Sequence, residues 1–126
     1  GSAAIRAAAS HLTPADYDEL ARNVALAEAA GKAGDFETRV RLNLDFHRLL
    51  AKATHNGVMV IMLEALLQAT HDIIHRVGPY DNSFAPRSRR RFLKLMAEGR
   101  TEDAVKEMER QLARMQRIYF SRLENE

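Results

Sequence analysis

Residues 43–56 read NLDFHRLLAKATHN, and their spacing decides how the rest of the chain is understood. Asn43 and His47 stand one helical turn apart, on the same face as Phe36, Val40 and Leu50, the apolar positions of an amphipathic helix. The face that turns inward therefore carries two polar side chains. Leaving such groups buried without partners costs on the order of 1–3 kcal/mol each, so a side chain, water, metal or ligand is expected to answer them.

The segments on either side read as further helices. Upstream, Asp35 is the expected N-cap of the Asn43 helix. Before it, Thr13-Pro14-Ala15-Asp16 starts a helix, with Thr13 as cap, Pro14 in the first turn and Asp16 reaching back; Tyr17, Leu20, Val24 and Ala27 form its buried stripe, and Gly31 to Gly34 ends it. The alanine-rich run from Ile5 to His11 is expected to be the tail of an earlier helix. Downstream, residues 55–57 (HNG) read as a turn. Val58 to Arg76 is helical, with Leu63, Leu67, His71 and Ile74 on one stripe. A loop from Gly78 follows, with Ser83 or Ser88 as possible caps, then a fifth helix over Pro86 to Glu98. Gly99 breaks the chain. Thr101 caps a last helix, Glu102 and Asp103 suit its dipole, and Ala104, Met108, Gln111, Leu112, Met115, Ile118 and Phe120 follow. No strand pattern occurs, so the fold class is all-α, an antiparallel helical bundle of about six helices.

Composition narrows the function. The chain has 126 residues, 46% of them hydrophobic, which supports one domain with a core. Gly1-Ser2 reads as a cloning scar, and residues 3–126 as a single domain. Nineteen basic residues against 17 acidic ones leave a formal charge of +2, too balanced to indicate a nucleic-acid or membrane surface. The absence of cysteine excludes disulfides, thiolate zinc sites and thiol catalysis. No apolar run approaches the roughly 20 residues of a membrane span, no signal peptide is visible, and a cytoplasmic location is expected. HExxH, a glycine-rich phosphate loop and a nucleophile elbow are all missing, so no enzyme activity is expected.

Three more polar residues fall on apolar stripes. Arg89 precedes Phe92, Leu93 and Met96 by three, four and seven residues, whereas Arg87, Arg91 and Lys94 share a solvated outer face. An inward guanidinium either binds an anion, pairs with an acidic neighbour or snorkels to solvent. Gln111 lies on the stripe of Ala104, Met108 and Met115, and is open to being a satisfied core amide or a ligand contact. His71 is similarly open. His75 lies one turn further on, a spacing that can share zinc, but Glu64 and Gln68 accompany it on a wetter face and a metal pair is disfavoured.

Two segments together resemble one family. NLDFHRLLAKATHNGVMVIMLEAL is similar to the [DN]-x-x-F-H-x-x-L-x-x-A-[ST]-x-N core of the FadR-type C-terminal (FCD) domain of GntR-superfamily transcription regulators. RRRFLKLMAEGRTEDAVKEMERQL is similar to that domain's later H-x-x-I-x-x-A-I-x-x-G-x-x-x-x-A-x-x-x-M-x-x-H-L element. The resemblance runs from about Ala15 to Leu112. It implies a helical effector-binding and dimerisation domain, a homodimer that reaches operator DNA only through an N-terminal winged helix-turn-helix domain missing from this chain.

The resemblance also implies a site. Many members hold a metal through an Asp and three His, and those positions fall here on Asn43, His47, Arg89 and Gln111. Only His47 is a usual ligand; amides are weak ones and arginine cannot coordinate. No cofactor is therefore expected, and a zinc-type ion is disfavoured; were one bound, His47 with His71 would be its ligands. The expected site is a pocket for a small anionic effector, a carboxylate, lined by Asn43, His47, Arg89, Gln111 and His71. The competing readings are a structural dimerisation bundle whose polar residues satisfy each other, and a small metal-binding helical enzyme.

Overall fold

The computed structural model describes residues 12–53, 57–78 and 84–124. Within them the chain forms five helices and no strand: α1 (Pro14–Lys32), α2 (Phe36–Lys52), α3 (Gly57–Val77), α4 (Phe84–Ala97) and α5 (Thr101–Glu124). The expected helix tail over Ile5–His11 and the turn residues His55 and Asn56 lie outside the described residues.

Local chemistry sets most of these boundaries. Thr13 and Asp16 form a reciprocal capping box, Thr13 Oγ1 accepting from the Asp16 amide and Asp16 Oδ2 from the Thr13 amide, each at 3.1 Å. Asp35 caps α2 by accepting from the Thr38 amide at 3.2 Å. Gly34 (φ 73°) and Gly99 (φ 74°) take the left-handed conformation at the two tight turns. At each turn the next amide reaches back to a helix carbonyl, Asp35 N–H to Ala30 O and Arg100 N–H to Leu95 O, both 2.9 Å. These turns fold α1 against α2 and α4 against α5 as helical hairpins.

Three boundaries differ from expectation, one of them at Thr101, which is the first residue of α5 and not its cap. Helix α4 starts at Phe84, not Pro86, so proline sits in its first turn, where its missing N–H costs nothing. Ser88 is inside α4 and is not a cap; its hydroxyl donates to Glu107 at 3.1 Å, joining α4 to α5. Phe120 is exposed.

Helix α2 lies between two apolar clusters. Its Phe46 and Leu50 pack with Leu20 and Val24 of α1, Phe92 and Leu93 of α4, and Val105 and Met108 of α5. Its Val40 and Leu44 pack with Leu67 and Ile74 of α3, with Phe36 and Tyr119 at the margin. Two side-chain bonds tie α1 into this frame: Asn23 Nδ2 donates to Leu42 O at 2.9 Å, and the Tyr17 hydroxyl donates to Leu93 O. The residues of α2 that are neither apolar nor solvent-facing are thereby held in the interior.

Candidate functional site

Arg89 is the largest fully buried side chain of the described chain, 1% exposed. It does not snorkel. Its Nη1 donates to Asn43 Oδ1 at 2.6 Å and its Nη2 to the Asn43 carbonyl at 3.3 Å, so one residue of α2 receives both arms of a guanidinium from α4. Because arginine only donates, the Asn43 amide must turn its oxygen towards it. The guanidinium carbon lies 4.8 Å from the centroid of the Phe46 ring, a cation–π contact in a desolvated setting.

His47, one residue on, stands edge-on to Phe46 with ring centroids 5.9 Å apart. An edge of the residue reaches solvent. Even so, burial first and the Arg89 charge second push its pKa from 6.5 down to about 3, so the imidazole is neutral at physiological pH and offers one donor and one acceptor. Gln111, 3% exposed on α5, has no hydrogen-bond partner among the described residues for either its Nε2 or its Oε1. A buried amide in that condition departs from the general rule that interior polar groups are bonded.

The sequence-derived set is thus joined unevenly. Asn43 and Arg89 are bonded directly, His47 lies within the electrostatic reach of Arg89, and Gln111 is buried with its bonding capacity unused among the described residues. His71 is bonded elsewhere: its Nε2 lies 3.0 Å from His75 Nε2, and His75 Nε2 lies 3.2 Å from Glu37 Oε1. Among the described residues, the grouping of three metal-capable side chains is Glu37, His71 and His75, not His47 with His71. A groove of about 420 Å3 lined by Arg114, Arg117, Ile118, Ser121 and Arg122 runs along α5 and shares no residue with the buried set.

Two participants escaped the sequence reading. Phe46 lies within the quoted motif, three residues from Asn43, and its ring forms a wall beside the guanidinium. Glu37 meets the histidines only because the start of α2 packs beside the end of α3, a tertiary fact with no local signal.

A model of the FCD domain matches residues 1–114. The chain belongs to the FCD domain family. FCD domains are the effector-binding, regulatory domains of GntR-type transcription regulators and are not a catalytic family. No curated protein and no solved structure matches the chain, and among the described residues no helix is long and apolar enough to cross a membrane. The metal that many FCD domains carry does not fit this site. The Asn43 oxygen is engaged by a guanidinium whose permanent charge repels a cation, and neither Arg89 nor the amides supply the basic ligands that a zinc-type ion requires.

Proposed function

We propose that this FCD domain senses a small anionic metabolite, with a carboxylate as the recognised group, in the interior bounded by Asn43, His47, Arg89 and Gln111. The observation that carries the reading is Arg89, a permanent positive charge held away from water where α4 meets α2. A carboxylate matches a guanidinium in charge and in bidentate geometry. The arginine then takes the role that an ion has in metal-bearing relatives. Neutral His47 and the unbonded amide of Gln111 complete the recognition by hydrogen bonding. His71, bonded to His75, belongs to the periphery of this reading.

The regulatory consequence follows from population shift. An effector that binds one helix arrangement more tightly than another favours it, and in a homodimer this alters the spacing of two winged helix-turn-helix domains on operator DNA. Val58 and Ile61 of α3 are large exposed apolar side chains suited to a subunit contact. No chemistry on the effector is required, and a cytoplasmic location accords with this role.

The Asn43–Arg89 bond also favours a second reading, a structural bundle in which buried polar groups satisfy one another. A thermal-shift screen of small carboxylates, sugar acids, amino acids and acyl derivatives, with and without divalent metals, separates the two. Anionic compounds raise the melting temperature without metal if the effector reading holds; no compound does so for the structural bundle.

A further inference from the structure

A second cluster of chemistry lies on the surface, where the N-terminal turn of α2 meets the C-terminal part of α3. Across that seam the Nε2 atoms of His71 and His75 face each other at 3.0 Å, and Glu37 Oε1 stands 3.2 Å from His75 Nε2. The ligand atoms of all three residues lie within 4.8 Å of one another.

The two short separations match the edges of a coordination shell, and the third closes to one with a small side-chain movement. With Zn–N and Zn–O distances of about 2.0–2.2 Å, two ligands of a tetrahedral ion lie roughly 3.3 Å apart. The two short contacts are within a few tenths of an ångström of that edge. Two imidazoles on one helix at i and i+4, with a carboxylate from a neighbouring helix, make a His2Glu set that leaves one position open. The outer arrangement suits it too. His71 Nδ1 is buried without a hydrogen-bond partner among the described residues, and Asp72 Oδ1 lies 3.7 Å from it. A small movement makes this the carboxylate–histidine pair that keeps the proton on Nδ1 and frees Nε2 for a metal.

We infer that Glu37, His71 and His75 form a zinc-type divalent metal site whose fourth position faces solvent and which clips the start of α2 to the end of α3. Phe36 supports it, its ring standing edge-on to His75 at 6.3 Å. The site involves none of Asn43, His47, Arg89 and Gln111, so it stands whether or not those residues bind an effector.

The test is a titration of the chelator-treated 126-residue chain with Co2+, followed by displacement with Zn2+. One equivalent of Co2+ giving tetrahedral visible absorption is expected, bleached by one equivalent of Zn2+. Glu37→Gln, His71→Ala and His75→Ala each weaken binding by more than the roughly 10–100-fold that loss of an outer partner costs, and Asp72→Asn weakens it by roughly tenfold. Circular dichroism checks that each variant retains its helices. The double variant His11→Ala/His55→Ala, which removes histidines from elsewhere in the chain, keeps full binding. The absence of a saturable cobalt site overturns the inference, as does a site that survives His75→Ala unchanged or disappears in the double variant.

Discussion

Arg89 Nη1 donates to Asn43 Oδ1 at 2.6 Å across the interface of α4 and α2, and this bond links the fold to its proposed function. A buried cation bonded across two helices is a sensitive element of the fold. Truncating the acceptor, Asn43→Ala, leaves the charge less well answered and is expected to lower unfolding stability by about 1.5–3 kcal/mol. The double variant Asn43→Leu/Arg89→Met replaces the pair with apolar side chains and is expected to recover most of that loss, as buried ionic groups often allow. Urea denaturation of Asn43→Leu, Arg89→Met and the double variant measures the coupling.

Gln111 is a related case with the opposite sign. Its amide is buried with neither end bonded among the described residues, so Gln111→Leu is expected to raise stability by about 1–3 kcal/mol in the absence of effector. The same variant is expected to weaken the thermal shift given by carboxylates. A residue that costs stability while serving recognition produces this combination; a purely structural glutamine does not.

His47 sets a pH dependence whose sign follows from its shift. In the unfolded chain the imidazole takes up a proton near pH 6.5; in the fold it does so only near 3. Between those values the unfolded state holds the extra proton. The stability is therefore fully present above pH 6.5 and is lost as the pH falls towards 3, with a slope of at most about 1.4 kcal/mol per unit. The partly exposed edge of the residue lowers that slope. In His47→Gln this component disappears, so the wild-type melting temperature is expected to fall relative to the variant's as the pH is lowered from 7 to 4, the two pH profiles separating most at the bottom of the range.

The glycines separate conformation from space. A Cβ at Gly99 meets nothing within 4 Å, yet its φ of 74° disfavours any L side chain. Gly99→Ala is thus expected to cost about 1–2 kcal/mol from backbone strain alone. Gly31 lies inside α1, where a Cβ meets only Arg39 Cδ at 3.5 Å. Gly31→Ala is expected to stabilise by roughly 0.4–1 kcal/mol. Thermal denaturation of the two variants checks both signs.

These sites also mark what the sequence made legible. Periodicity was enough to place Asn43, Arg89 and Gln111 inside, because each recurs at helical spacing with residues that proved to be core: Val40 and Leu50, Phe92 and Leu93, Ala104 and Met108. Capping chemistry was enough for Thr13 and Asp35. What periodicity cannot carry is which interior groups meet. It set His75 on a wet face, where the structure has it exposed, but it did not foresee that the packing of α3 on α2 brings both His71 and His75 to Glu37. It read Ser88 as a possible cap because a serine before an apolar run has that pattern, while Glu107 on the next helix offered its hydroxyl a stronger acceptor. The fold was therefore readable from local rules, and the partners of the polar side chains were not.

The most direct measurement of the central claim is calorimetric titration, into metal-free wild-type chain and into Arg89→Met, of the carboxylate that gives the largest thermal shift. Saturable binding to the wild type with chelator present, and none to a folded Arg89→Met, is the expected result. Equal affinity for the two proteins, or binding to the wild type only when a divalent metal is added, contradicts the assignment of Arg89 as the anion-binding group.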